Sequence, residues 1–162
     1  MHVVLSLGSN IDREKNIRFA LQEIRDQYGD IEVSPIYETS SVGFDGPSFF
    51  NLVVGMQSSD PVEDIIGSLQ QIETVAGRVR GPKSFDSRIL DIDVILYGTE
   101  NFRPDRNIPR DEIEKYAYVL KPLSDLYPEL TYPMTGETFA VMWKAFEMKD
   151  QTAFMAEFPL EI

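Results

Sequence analysis

The 162-residue chain contains no cysteine and a single histidine, His2. Without cysteine the chain can form neither a disulfide nor a thiolate metal site, and a cysteine nucleophile is excluded. A Ser-His-Asp triad is disfavoured as well, because the only histidine lies at the terminus, where we expect an ordinary strand residue. The sequence also lacks both G-x-x-x-x-G-K-[ST] and G-x-G-x-x-G, so any bound nucleotide must be held by other loops.

Basic residues are scarce too, with 15 Lys and Arg against 27 Asp and Glu and a net charge of −12. Such a charge repels nucleic-acid backbones and anionic membranes. No stretch approaches the roughly 20 apolar residues of a membrane span, and residues 1–8 are too short and lack the basic flank of a signal peptide. We therefore expect a cytoplasmic protein with no nucleic-acid or membrane partner.

Length and composition favour a single folded unit. The chain is 43% hydrophobic and 26% charged, values typical of ordinary globular domains. A chain of this length buries a substantial core without disulfides. The sequence therefore predicts one domain over residues 1–162.

The hydrophobic pattern predicts the element order βαββαβ, followed by a C-terminal extension. Strands are predicted over residues 2–8, 31–37 (interrupted by Pro35), 49–56 and 89–98, and helices from Asp12 to Tyr28 and from Asp60-Pro61 to Gly77. This order predicts a ferredoxin-like α+β sandwich, an antiparallel sheet with two helices on one face. Pro35 favours an edge position or a bulge for its strand. A short helix within 107–130 and a covering helix within 138–148 are expected in the extension.

Two aspartates interrupt the last apolar strand, at Asp91 and Asp93. Side chains at i and i+2 of a strand point to the same face, so the two carboxylates lie side by side. Their repulsion and desolvation are relieved by a hard divalent cation, and magnesium with substrate phosphates is the usual solution. An exposed pair at a sheet edge remains the alternative on spacing alone.

The basic residues that do occur are clustered just before this strand, at Arg78, Arg80, Lys83 and Arg88. Such a cluster in an acidic chain indicates a small anionic ligand. Arginines can neutralise a polyphosphate whose magnesium the aspartates hold, and phosphoryl transfer needs little more than positioning and charge stabilisation. A solvated basic loop, paired with neighbouring acidic residues, is the alternative interpretation.

Several short motifs in a fixed order resemble the 6-hydroxymethyl-7,8-dihydropterin pyrophosphokinase family. The motifs are LGSN at 7–10, Tyr37-x-Thr39, FFN at 49–51, Q-x-I-E-x-x-x-G-R-V-R at 70–80, R-x-L-D-I-D-V-I-L at 88–96 and PLSDLYPEL at 122–130. Each motif is weak alone, but their combination is specific. The resemblance implies a ferredoxin-like fold and transfer of pyrophosphate from ATP to the pterin hydroxymethyl group, with release of AMP, in folate synthesis.

The resemblance also implies a division of labour among residues. Asp91 and Asp93 would hold two magnesium ions, with Asp91 near the attacking hydroxyl, and Arg78 and Arg88 would take part in catalysis. The nucleotide would be bound by Gln70, Arg80, Phe85, Arg88 and Arg110. The pterin would contact Thr39, Val42 and Asp91, stack between Phe49 and Tyr118, and be hydrogen-bonded by Asn51.

The chain departs from the family pattern around the nucleotide. Ser84-Phe85-Asp86-Ser87-Arg88 replaces a basic residue followed by aromatic-Gly-Pro-Arg, Arg110 stands where the family has histidine, and Tyr116 aligns with a nucleotide-contacting arginine. Ser40-Ser41 replaces a Pro-Pro pair in the pterin loop. We therefore expect a divergent pyrophosphokinase that acts as a monomer on two small molecules, ATP and the pterin. The alternatives are a non-catalytic pterin- or nucleotide-binding relative and an enzyme for another hydroxylated heterocycle.

Overall fold

A computed structural model describes residues 1–39, 47–77, 90–147 and 155–159. In chain order its elements are β1 (His2–Ser9), α1 (Arg13–Tyr28), β2 (Glu32–Val33), β3 (Ile36–Thr39), β4 (Phe49–Gln57), α2 (Val62–Val75), β5 (Asp91–Tyr97), α3 (Glu112–Lys115), α4 (Ala117–Leu126), α5 (Phe139–Ala145) and β6 (Met155–Phe158). All the elements predicted from the hydrophobic pattern are present.

The strands form one antiparallel sheet in the order β5-β1-β4-β3-β6, with the two-residue β2 also paired to β4. When the broken second strand is counted as one, this is the predicted ferredoxin-like order. Central β1 is paired along its length to β4 on one side and to β5 on the other. The registers of β4 and β5 can therefore both be described relative to residues of β1.

The sheet is covered on both faces. One core contains Leu5, Leu52 and Val94 together with the apolar sides of α1 and α2. The second core contains Val4, Val53 and Ile95 with residues of α3, α4 and α5. The C-terminal covering helix is thus confirmed, and Thr138 caps its N-terminus by accepting a 3.2 Å hydrogen bond from the backbone amide of Val141.

The position of Pro35 is where the sequence prediction was partly wrong. The strand is broken there as expected, into β2 and β3, but β3 is not at the edge of the sheet. Residues of β6 pair with it, with Ile36 opposite Phe158 and Thr39 opposite Met155. The apolar side chain of Phe158 packs at 4.6 Å on the ring of Phe50, so the C-terminal segment joins the first core.

Both predicted helix caps differ in detail. Asp12 occupies the N-cap of α1 in the left-handed region at φ 44°, and its side chain makes no capping hydrogen bond. The second helix begins at Val62 with Pro61 as its N-cap residue, one position later than predicted, so Asp60 precedes the cap. Within the described ranges, no helix is long and apolar enough to cross a membrane.

A glycine on the second face makes room for an aromatic side chain. A Cβ on Gly55 would lie 1.6 Å from the Tyr127 hydroxyl, which donates a 2.8 Å hydrogen bond to Glu32 and lies 3.2 Å from His2 Nε2. Gly55→Ala should therefore displace Tyr127 and lower the free energy of unfolding by about 1–3 kcal/mol. Urea denaturation measures this change.

Gly67 supplies the matched control, because a Cβ there meets nothing within 4 Å on the exposed side of α2. Gly67→Ala should raise stability by roughly 0.5–1 kcal/mol through helix propensity. Equal effects of the two substitutions would contradict the packing argument.

Candidate functional site

One half of the second sheet face carries polar side chains instead of core. Side chains alternate between the faces of a strand. On this face the row Asp91, Gly8, Asn51 and Tyr37 runs across β5, β1, β4 and β3, since each residue is registered opposite the next. We call these residues, with Asp93, Thr39 and Phe49, the site face.

Asp91 and Asp93 lie side by side on the site face, as the strand spacing predicted. Their register partners on β1 are Gly8 and Ser6, and both aspartates are partly exposed, while Ile92 between them is buried in the other core. The backbone therefore presents two carboxylates toward the same space.

The charge balance at Asp93 is unfavourable in the free protein. Burial, followed by the charge of Asp91, raises the pKa of Asp93 to about 7, although Arg110 acts in the opposite direction. The charges of Glu112 and Glu73 raise the pKa of Asp93 further. A carboxyl held near neutrality by burial and acidic neighbours is a site where a cation is stabilising.

Arg110, which the sequence predicts as a nucleotide-binding residue, lies at the edge of this acidic group. Its guanidinium is 3.7 Å from the Asp93 carboxylate and forms a close ion pair with Glu112. Its backbone amide donates to the Ile95 carbonyl at 2.9 Å, which anchors the segment after β5 to that strand. Burial alone lowers the pKa of Arg110, but Asp93 and Glu112 raise it above its usual value.

Asp91 and Asp93 could supply two ligands of a magnesium ion, with the remaining ligands coming from waters and a substrate. Across 1–39, 47–77, 90–147 and 155–159 there is no group of three or more His, Cys, Asp or Glu side chains that could hold a metal. Magnesium, however, is commonly bound by one or two carboxylates, several waters and substrate phosphates. Asp91 and Asp93 fit that pattern, because oxygen ligands crowded by like charge favour a hard cation.

Asn51 supplies the polar group on the other side of Gly8. Its side chain is only 8% exposed, and its Nδ2 donates a 2.9 Å hydrogen bond to Thr39 Oγ1. Buried amides are costly unless they are hydrogen-bonded, so this pair is held in a defined orientation. Half-buried Phe49 lies on the same face, in register with Thr39.

Gly8 keeps the space between these two groups open. A Cβ at this position would approach Asn51 Oδ1 to 3.1 Å and Phe49 Cδ1 to 4.0 Å. Adjacent strands are about 4.8 Å apart, so Asp91 and Asn51 are separated by about 10 Å across the glycine. The site face thus has carboxylates on one side, an amide and an aromatic ring on the other, and a flat floor between them.

Tyr118 lies in the helix layer above the same face. It packs against the second core, and its ring is stacked on that of Tyr116, with centroids 5.0 Å apart and planes at 20°. The resemblance aligns Tyr116 with a nucleotide-contacting arginine, and in this structure Tyr116 is part of an aromatic pair.

Tyr37 ends the row and is tied to the helix layer. Its hydroxyl donates a short hydrogen bond to Asp125, which also accepts from Lys121 at 2.7 Å. Burial and the bond to Asp125 raise the pKa of Tyr37 above its usual value. The β3 end of the site face is therefore fastened to α4.

Apart from Arg110, Gln70 is the predicted nucleotide residue that lies within the described ranges, and it is not on the site face. Gln70 lies on the exposed side of α2, in the helix layer on the opposite face of the sheet. Arg78, Arg80, Phe85 and Arg88, and also Val42 of the pterin set, lie outside the described residues. Their assigned roles stay predictions.

Four residues near the site had no role assigned from the sequence. They are Glu73, Glu112 and the hydrogen-bonded pair Tyr37 and Asp125. A signal existed for Glu73, since an acidic residue interrupts the apolar stripe of α2. Glu112 and Asp125 carry no such signal, because acidic residues are common along the exposed sides of short helices.

The chain is similar to transferases of one family. The model of the family "7,8-dihydro-6-hydroxymethylpterin-pyrophosphokinase (HPPK)" matches residues 4–128. The chain therefore belongs to the HPPK family.

Curated relatives agree with that assignment. The 2-amino-4-hydroxy-6-hydroxymethyldihydropteridine pyrophosphokinase of Pseudomonas aeruginosa is 34% identical over 136 residues, which cover 81% of this chain and 83% of that protein. The folic acid synthesis protein fol1 of Pneumocystis carinii is 33% identical over 148 residues, covering 85% of this chain but only 19% of that protein.

A solved structure with a similar fold is Plasmodium falciparum HPPK-DHPS, with a TM-score of 0.73 and 15% identity. The alignment covers 96% of this chain and 47% of that one. The likeness supports the α+β fold. The chain thus spans most of the Pseudomonas relative but only part of the two longer proteins.

Proposed function

We propose that this chain transfers pyrophosphate from ATP to 6-hydroxymethyl-7,8-dihydropterin and releases AMP, a reaction of folate synthesis. Membership of the HPPK family and the names of the bacterial relatives support this activity. The observation that carries the proposal is the site face itself, with two crowded carboxylates on one side of Gly8 and the hydrogen-bonded pair of buried Asn51 and half-buried Thr39 on the other.

The proposed chemistry is a direct in-line transfer. The pterin hydroxymethyl oxygen attacks the β-phosphorus of ATP, the bond from that phosphorus to the α–β bridging oxygen breaks, and AMP leaves with the electron pair. The hydroxymethyl proton is lost to solvent. Positioning and charge neutralisation suffice for this reaction class, so no covalent nucleophile is required.

Five residues of the site face, together with Tyr118 and Arg110 beside it, have a proposed role. Asp91 and Asp93 would hold magnesium, expected as two ions, which would supply charge neutralisation on the triphosphate. Asn51 and Thr39 hydrogen-bond the edge of the pterin, and Phe49 and Tyr118 stack on its ring, a task that needs only a π face. Arg110, already beside Asp93, offers a cation to the nucleotide phosphates.

The deciding experiment incubates the purified protein with magnesium ATP and 6-hydroxymethyl-7,8-dihydropterin and follows both products by chromatography. AMP and the pterin diphosphate should form in equal amounts and only when magnesium is present. Tight pterin binding without turnover would indicate a non-catalytic relative. If the protein neither binds nor converts the pterin, the acceptor is another hydroxylated heterocycle.

Magnesium with a non-hydrolysable ATP analogue should stabilise the protein more at pH 8 than at pH 6. The folded-state pKa of Asp93, about 7, lies above its ordinary value of 3.8. Folding therefore takes up a proton at pH values between 3.8 and about 7, and the unliganded protein loses stability as the pH rises through this range. A cation bound to the ionised carboxylate recovers this loss. Thermal unfolding with and without the metal measures the difference.

Asp93→Asn is the control for that experiment, since it removes the titrating group. In this variant the magnesium-induced shift in Tm should be small and nearly independent of pH. A wild-type shift that is equal at both pH values would contradict the placement of the cation at Asp93.

The single-domain organisation over residues 1–162, the monomeric state and the cytoplasmic location stay predictions.

A further inference from the structure

A buried carboxylate on the opposite face of the sheet reaches the backbone between the two site aspartates. Glu73 belongs to α2 and is only 2% exposed. Its Oε2 accepts a 2.8 Å hydrogen bond from the backbone amide of Ile92. Leu69 and Ile72 of the same helix belong to the first core.

This arrangement needs a reason, because burying a carboxylate is costly unless it is well hydrogen-bonded. The strand β5 lies at one end of the sheet order, and edge strands have backbone amides that point away from their neighbour. Glu73 accepts a hydrogen bond from such an amide, that of Ile92, which is the one residue between Asp91 and Asp93. The bond therefore fixes the backbone that aims both carboxylates.

We propose that Glu73 is a positioning residue that holds Asp91 and Asp93 at the spacing required for divalent-cation binding. The inference rests on the proposed function of the two aspartates as magnesium ligands. It adds a residue from α2, on the far side of the sheet, to the machinery of the site. Outer groups that orient metal ligands typically affect affinity by about 10- to 100-fold when they are changed.

Two substitutions separate the hydrogen bond from the charge. Glu73→Gln keeps an acceptor oxygen at the same reach, whereas Glu73→Leu has a similar volume and leaves the Ile92 amide without this acceptor. Binding is read with Mn²⁺ as the probe, in the presence of a non-hydrolysable ATP analogue, by electron paramagnetic resonance. Mn²⁺ prefers the same oxygen ligands as Mg²⁺, and this measurement does not depend on turnover.

We expect Glu73→Leu to weaken Mn²⁺ binding by about 10- to 100-fold, with the dissociation constant of the pterin changed by less than about twofold. Glu73→Gln should stay within about threefold of wild type. A folded Glu73→Leu variant that binds Mn²⁺ as tightly as wild type would overturn the proposal, and the bond would then only stabilise the sheet edge. Equal weakening in both variants would also overturn it, because charge rather than orientation would then be responsible.

Should Glu73→Leu fail to fold, Glu73→Asp replaces it, since it keeps the charge but is one methylene too short to reach Ile92. Weakened Mn²⁺ binding in Glu73→Asp supports the positioning role, and wild-type binding refutes it. The proposed function fails separately: wild-type protein would then give no AMP from ATP and the pterin, or Asp93→Asn would bind Mn²⁺ as wild type does.

Discussion

Replacing Asp93 by asparagine should lower kcat/KM for pyrophosphoryl transfer by about 1,000-fold or more while the protein stays folded. Asparagine has nearly the same shape but carries no charge, so the pair loses one of its two anionic ligands. Charge stabilisation by a bound metal is worth several kcal/mol, and each 1.36 kcal/mol is a factor of ten in rate. Steady-state kinetics at saturating magnesium measures the loss.

The fold should tolerate this change because the negative charge of Asp93 is unfavourable in the free protein. Its carboxyl is raised in pKa by burial and by Asp91, and its loss leaves Arg110 still paired with Glu112. Circular dichroism and Tm check the fold, and Asp105→Asn, at an exposed position, is the matched control with expected wild-type activity. Magnesium-dependent AMP formation at a normal rate in Asp93→Asn would show that the metal assignment is wrong.

Replacing Asn51 by leucine should weaken the pterin while leaving the nucleotide almost unaffected. Leucine fills a similar volume but cannot hydrogen-bond, and each buried polar group that loses its partner costs about 1–3 kcal/mol. We therefore expect the pterin dissociation constant to rise by about 10- to 100-fold. Titration of pterin fluorescence measures the binding, and the affinity for magnesium ATP provides an internal comparison.

Asn101→Leu is the control substitution, since Asn101 lies exposed after β5. It should leave pterin binding unchanged. A similar loss of affinity for pterin and ATP in Asn51→Leu would point to a general disturbance of β4. Unchanged pterin binding would place the pterin away from the Asn51–Thr39 pair.

Local sequence patterns predicted the elements well wherever a periodic apolar stripe or a turn residue was present. The spacing of Asp91 and Asp93 was sufficient to place both carboxylates on one face, because the alternation of a strand is fixed by its backbone. The break at Pro35 followed from the missing amide hydrogen. Asp12 was predicted correctly as the N-cap residue of α1, although its side chain makes no capping hydrogen bond, and the N-cap of α2 is Pro61, one residue later than predicted.

Contacts between distant segments could not be predicted in the same way. The pairing of β6 with β3 joins residues more than a hundred positions apart, and the four-residue strand carries too weak a pattern to indicate its partner. The hydrogen bond of Glu73 to Ile92 likewise depends on how α2 packs on β5. Arg110 was expected near the nucleotide, but its pairing with both Asp93 and Glu112 is a result of tertiary packing.

The sequence by itself determined the order of strands and helices, the two adjacent carboxylates and the family, because these depend on local periodicity and on short motifs. Only the tertiary structure decided which residues share the site face. Register is a property of two strands together: Gly8 is opposite both Asp91 and Asn51, and that juxtaposition places the carboxylates, the glycine floor and the amide in one row. The packing of α2 on β5 also places the buried carboxylate of Glu73 beside the backbone between the two aspartates. There it accepts a hydrogen bond from the outward-pointing amide of Ile92.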